Sequence, residues 1–298
     1  MSVLPKRGEF ASTRSQVFSA TPLRIGRVVL TVHDLPAVSR FYRDALGLHD
    51  LCEAGGTAKL GVGETILLEL RRDTQARFRS PREAGLYHTA FLLPSRADLG
   101  RWFAHASQKR LAIQSAADHA VSEAIYLADP EGNGVEIYAD RLPDTWHWDD
   151  GKVTLKSTPL DLDDLLRGAG TGSLDGFPGG STIGHVHLQV GSIAPAEAFY
   201  EGVLGFPLTS RFSGASFFGS GNYHHHVATN IWNSRNAGVR EQPSTGLADL
   251  EIVASETSTL AAVATRAAAA GIAVERQPSG LKLQDPWGTS ITLTSSGI

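Results

Sequence analysis

The sequence predicts an α+β fold of four consecutive βαβββ modules, and three observations carry that prediction. Two segments, Arg24 to Leu48 and Ile183 to Phe206, share one plan of an extended run, a helix and a closing glycine, with Phe41-Tyr42 in the first matching Phe199-Tyr200 in the second. Two further segments match more loosely, opening at Gly85-Leu86 and Gly246-Leu247. Asp129-Pro130 and Asp285-Pro286 then introduce the last strand of their respective units.

Taken in order, RIGRVVLTVHDLPAVSRFYRDALGL begins as a strand, starts a helix at Asp34 and closes it at Gly47. The second unit opens with GLYHTAFLLPSRADLGRWFAHASQK, the third with IGHVHLQVGSIAPAEAFYEGVLGF and the fourth with ADLEIVASETSTLAAVATRAAAA. Each leaves room for about three more strands, so the units begin near residues 24, 85, 183 and 246. Residues 142–180, with LPDTWHWDDGKV and GAGTGSLDGFPGGS, read as a linker between a first pair of modules (21–141) and a second pair (181–298). Residues 1–20 are polar and read as a flexible arm.

Composition narrows the function. A chain of 298 residues with 42% hydrophobic content can bury a sizeable core. A net charge of −4 offers no electrostatic footprint for nucleic acid or a membrane surface. No continuous apolar span of membrane length is present, and residues 1–20 lack the apolar stretch of a signal peptide. The single cysteine, Cys52, excludes an intramolecular disulfide framework and suits a reducing cytoplasm. Eleven histidines invite a search for metal ligands.

The densest chemistry lies between Asp118 and Tyr138, DHAVSEAIYLADPEGNGVEIY. The turn residues Asp129 to Gly134 reverse the chain between two extended runs. On the second run, alternation places Val135 and Ile137 on one face and Glu136 on the other. A carboxylate amid β-branched residues is either on a solvated sheet face or buried with partners, since burying it alone is costly.

Four such modules with the strand–Asp–helix–Phe-Tyr–Leu-Gly pattern resemble the vicinal oxygen chelate superfamily, which includes glyoxalases, bleomycin- and fosfomycin-resistance proteins and extradiol dioxygenases. The resemblance covers residues 24 to 296. It implies that modules pair their sheets into two cup-shaped, barrel-like sheets, with metal ligands on first and last strands. At those positions stand His88, Glu136 and His185, against Arg27, Asp249 and Thr292 elsewhere. The first set suits a metal, whereas a fixed cation and a threonine do not. The second and third modules are therefore expected to share the metal cup, and the first and fourth a silent one.

Two histidines and a carboxylate with open positions form the facial triad of non-haem Fe(II) oxygenases, although Mn(II) suits the same ligands and zinc hydrolases use similar sets. Lone strand histidines are more often structural. Extradiol dioxygenases carry a segment similar to Asp118-His119-Ala120-Val121-Ser122, then a tyrosine like Tyr126, then the ligand glutamate. Tyr223-His224-His225-His226 resembles their acid–base histidine strand, and the alignment favours His226. On an extended strand His224 and His226 point one way and His225 the other. The whole is most similar to bacterial two-domain catechol 2,3-dioxygenases. This implies Fe(II)-dependent insertion of O2 into a small aromatic diol, giving a ring-opened semialdehyde, with His119, Tyr126 and His226 in catalytic roles. A homo-oligomer is expected. The alternatives are a hydroquinone-cleaving dioxygenase, a glyoxalase-type isomerase, for which the third module lacks a second carboxylate near His224 to Asn230, and a metal-free small-molecule binding protein.

Overall fold

The computed structural model describes residues 21–172 and 174–296, so the arm expected over residues 1–20 lies outside the described residues. The first module is β1 (Leu23–Val32), α1 (Leu35–Phe41), β2 (His49–Ala54), β3 (Thr57–Val62) and β4 (Thr65–Arg72). Asp34 caps α1 by accepting the Ala37 N–H at 2.9 Å, satisfying a donor that the first helical turn leaves orphaned. The helix relaxes into a π turn over Tyr42–Leu46 and stops at Gly47, whose φ of 89° only glycine adopts without strain.

The second module is β5 (Gly85–Leu92), α2 (Arg96–Gln108), β6 (Ser115–Asp118), β7 (Ser122–Ala128) and β8 (Gly134–Asp140). The segment read as a linker holds structure of its own: β9 (Trp148–Asp149), β10 (Lys152–Val153), β11 (Thr158–Pro159) and α3 (Leu162–Gly168). The third module is β12 (Thr182–Gln189), α4 (Ile193–Tyr200), β13 (Leu208–Phe212), β14 (Ala215–Phe218) and β15 (Val227–Asn230). The fourth is β16 (Gly246–Ala254), α5 (Thr257–Ala269), β17 (Glu275–Gln277), β18 (Gly280–Gln284) and β19 (Ser290–Ser295).

The modules assemble two large curled sheets. One runs β17-β18-β19-β16-β1-β4-β3-β2 and joins the fourth module to the first through antiparallel β1 and β16. The other runs β11-β6-β7-β8-β5-β12-β15-β14-β13 and joins the second to the third through antiparallel β5 and β12. The two landmark motifs of the sequence meet in space. Tyr42 donates its hydroxyl to Asp129 at 3.3 Å, and Tyr200 donates to Asp285 at 2.9 Å. Each helix tyrosine thus holds the Asp-Pro turn of the following module, and Asp129 Oδ1 also collects the N–H groups of Glu131 and Asn133, both at 2.9 Å.

A large apolar core runs through both sheets, from Val28 and Leu30 on β1 to Val186 and Leu188 on β12. The helices close it with Val38, Trp102 and Phe199, and the Trp102 indole donates to Ala45 O at 2.9 Å, tying α2 to the end of the first helix.

Candidate metal centre

Three neighbouring strands place the candidate ligands. β5 runs parallel to β8 with Ala90 opposite Glu136, and antiparallel to β12 with Ala90 opposite His185. Glu136 and His185 therefore stand in one row with Ala90 between them, two strand spacings or roughly 9.6 Å apart in backbone terms. Because the intervening side chain is a single methyl, both can lean over it and meet. His185 Nε2 lies 3.2 Å from Glu136 Oε2. His88, two residues earlier on β5 and so on the same face, brings its Nε2 to 2.9 Å from the same oxygen.

These three side chains are buried, at 6%, 2% and 3% exposure for His88, Glu136 and His185, and their ligand atoms all lie within 4.8 Å of one another. Burial by itself would raise the Glu136 carboxyl, but the neighbouring His185 and His88 outweigh it and hold its pKa well below the usual range. Burial also lowers the His185 pKa against the pull of Glu136. An ionised carboxylate beside neutral imidazole is the protonation state a divalent cation requires. His88 Nε2 is buried 2.9 Å from the carboxylate yet lies off the line of a hydrogen bond, a polar atom without a hydrogen-bond partner among the described residues. Ligands at right angles, each ~2.1 Å from one ion, stand roughly 3 Å apart, close to the two nitrogen–oxygen separations. The donor set fits a metal ion.

The triad sits at the floor of a cavity of about 720 Å³. Tyr126, directly across from Glu136 on β7, and His119 line one wall. His119 Nδ1 faces Lys156 O at 2.8 Å, and a carbonyl can only accept, so this nitrogen carries the proton and Nε2 accepts the Tyr126 hydroxyl at 2.7 Å. Tyr87, His187, Phe217 and Trp232 form an aromatic wall, while Leu155 to Pro159 of the intervening segment border the cavity. That segment was read only as a connection, and its role in the cavity had no motif to announce it.

His226 needs correction. It is fully buried against Phe206 and Tyr223 and does not line the cavity; His225 does, with its ring centroid 4.2 Å from that of His185. Counting back by twos from Ala228, which pairs beside His187, would put His226 in the cup. The regular strand begins only at Val227, and Tyr223 to His226 are bends and coil, so alternation does not extend to them.

In the other cup no metal-ligand group forms among the described residues. Arg27 pairs with Glu69 at 3.0 Å and Glu251 at 3.4 Å, and Asp249 accepts the Ser290 hydroxyl at 2.6 Å. Thr292, the remaining residue of that set, lies opposite Glu251 on β19. Glu69 was missed in the sequence. It stands opposite Val29 on β4, two places after Arg27, as Glu136 stands opposite Ala90, two places after His88. A guanidinium therefore fills the space that a cation would take.

A pair of cups built from βαβββ modules, one holding at its floor two histidines and a carboxylate that could take a metal ion, defines a fold class. The profile of the Glyoxalase/Bleomycin resistance protein/Dioxygenase superfamily matches residues 24–137 and 182–292, and the chain belongs to that superfamily. It is 38% identical over 267 residues to catechol-2,3-dioxygenase of Bacillus subtilis (strain 168), covering 88% of this chain and 93% of that protein. It is 28% identical over 196 residues to biphenyl-2,3-diol 1,2-dioxygenase 3 of Rhodococcus globerulus, covering 65% and 90%. The crystal structure of glyoxalase I from Zea mays superposes with a TM-score of 0.56 at 16% identity, covering 93% and 94%, a likeness of fold alone. No helix among the described residues is long and apolar enough to cross a membrane.

Proposed function

We propose that this chain is an extradiol ring-cleaving dioxygenase that inserts O2 into a catechol-type aromatic diol and releases a ring-opened semialdehyde. The observation that carries the reading is the convergence of His88, Glu136 and His185 on one point at the cavity floor. The kinship with catechol-2,3-dioxygenase and with an aromatic-diol dioxygenase supports it. Fe(II) held by these three residues, with Mn(II) an acceptable substitute, would supply the redox centre that brings diol and O2 together and passes electron density between them.

The protein's own groups bind, orient and move protons. The aromatic wall of Tyr87, His187, Phe217 and Trp232 receives the flat ring. His225 is the cavity histidine placed to accept a phenolic proton and return it later, the role expected of His226 in the sequence. Tyr126 stands beside Glu136 to hydrogen-bond a diol oxygen, and His119 holds the Tyr126 hydroxyl. Burial of the triad keeps bulk water from the reacting atoms.

The test is metal analysis of anaerobically purified protein together with O2 uptake on catechol. One equivalent of iron and a yellow ring-opened product are expected. Turnover of hydroquinone but not catechol would refute the reading, as would O2-independent, glutathione-dependent turnover of methylglyoxal.

A further inference from the structure

We propose that Asp140 and His224 are positioning residues that lock His225 in one tautomer, with its Nε2 lone pair turned into the cavity. The proposal rests on the reading above, in which His225 takes a proton from the diol. It starts from a buried hydrogen-bonded chain that no motif predicted. Asp140 ends β8, four residues beyond Glu136. Its Oδ1 lies 2.9 Å from His224 Nε2, and His224 Nδ1 lies 2.8 Å from His225 Nδ1.

The direction of every bond in this chain follows from its first member. An ionised carboxylate only accepts, so His224 must carry its proton on Nε2. A neutral His224 then has a bare Nδ1, which only accepts. The single hydrogen between the two Nδ1 atoms therefore belongs to His225. A neutral His225 with its proton on Nδ1 has a bare Nε2, since the contact with His224 engages Nδ1 alone. It remains for the cavity that His225 lines. Had His224 faced a donor instead of Asp140, the same logic would reverse and leave His225 with an N–H there, unable to accept a proton.

The surroundings prevent the chain from rearranging. His224 is fully buried, with Tyr223 at a ring-centroid distance of 4.1 Å and Trp146 at 4.9 Å, so its ring cannot turn over freely. Trp146 is itself anchored by its indole N–H to Val121 O at 3.2 Å. The Tyr223 hydroxyl also donates to Asp140 Oδ1 at 3.3 Å, and lies 2.8 Å from the Tyr138 hydroxyl, which fixes the carboxylate from a second side. When the diol proton moves to His225 Nε2, the O–H bond breaks, the N–H bond forms and the new positive charge spreads toward Asp140 without any donor having to reverse. A carboxylate that orients a histidine and stabilises its cation is familiar from the hydrolase triad; here a second histidine is interposed.

The experiment is long-range 15N–1H correlation spectroscopy on 15N-histidine-labelled, metal-free protein, which assigns the protonated nitrogen of each ring without substrate or turnover. His225 should carry its proton on Nδ1 and His224 on Nε2. In His224→Leu the lock is lost, and His225 should show a substantial Nε2–H population. In His224→Gln the amide can still accept from His225 and donate to Asp140, so the Nδ1–H form should persist. With metal retained, His224→Leu should lower kcat by about 10- to 100-fold, the range typical of outer-shell partners, with KM little changed and most of the loss rescued in His224→Gln. Should the leucine variant fail to fold, Asp140→Ala at the strand end serves instead and should unlock both rings. An Nε2–H tautomer for His225 in the unmodified protein, or tautomers unchanged in His224→Leu and Asp140→Ala, would overturn the proposal. Locked tautomers in a protein without diol dioxygenase activity would sustain the lock and refute the functional reading.

Discussion

Removing the Glu136 carboxylate should abolish metal-dependent thermal stabilisation while leaving the metal-free fold intact. Glu136 Oε2 is the atom both histidines approach, at 2.9 and 3.2 Å, so Glu136→Ala leaves two neutral imidazoles and no anionic ligand. At a free metal concentration ~100 times Kd, binding to the native state alone stabilises by about 2.7 kcal/mol. With an unfolding entropy of ~2.1 cal/mol/K per residue, a chain of this length melts roughly 4–5 °C higher for that gain. The variant should shift by less than about 1 °C under the same conditions, because its Kd would lie far above the metal present. Metal-free Glu136→Ala should still fold but melt below the unmodified metal-free protein, since the histidines' attraction outweighs the cost of burying the carboxylate, so the metal-induced shift is read against each variant's own metal-free baseline. The assay is anaerobic differential scanning calorimetry with Fe(II) or Mn(II) against a chelator. Asp249→Ala, in the other cup, serves as the control that keeps the full shift. A Glu136→Ala protein with an undiminished metal-induced shift would refute the site.

Three further outcomes follow. Tyr126→Phe and His119→Gln should retain bound iron and lose turnover, the hydroxyl deletion by less than the ~10²- to 10⁴-fold typical of an acid–base group; steady-state kinetics beside iron stoichiometry decides. Gly184→Ala would place a Cβ 1.7 Å from the Tyr138 hydroxyl, so it should destabilise by about 1–3 kcal/mol in denaturant melts, with partial rescue by Tyr138→Phe. Burial raises the Asp118 carboxyl, but the Ala120 N–H and Arg141 outweigh this and hold its folded pKa below the usual value. Its contribution is therefore fully present above the unfolded pKa of about 3.9 and lost as pH falls through the lower folded value, so the stability gap to Asp118→Asn should hold down to about pH 5 and close only as pH falls below about 3.9.

The repeated strand–helix–glycine plan and the Asp-Pro turns were legible because they are local: Asp34 caps its own helix, and Gly47 needs its own positive φ. The grouping of His88, Glu136 and His185 was legible because strand period and superfamily resemblance agree on facing. His225 was not, since alternation holds only where the backbone is regular, and the chain at 223–226 is not. Glu69 and the Asp140–His224 contact were hidden for another reason. Glu69 depends on register between distant strands and Asp140–His224 on a coil segment docking against the end of β8, and no local pattern encodes either. The contribution of Leu155 to Pro159 to the cavity belongs to a segment rich in turn residues, whose path over the sheet is set by β11 pairing with β6.

The exchange of partners between modules makes the candidate metal site a seam rather than a pocket within one half. His88 and Glu136 come from the first half of the chain and His185 from the second, and they meet only because β5 zips to β12. The mirror seam, β1 against β16, carries Arg27 and Glu251, and with Glu69 of the adjoining β4 they make a clasp of one guanidinium between two carboxylates in the corresponding place. Neither half can assemble the ligand set alone, so a break within the intervening segment should yield two inactive fragments that regain metal binding only on recombining. Substitutions that slide one half against the other by a single residue would separate the histidines without touching either of them.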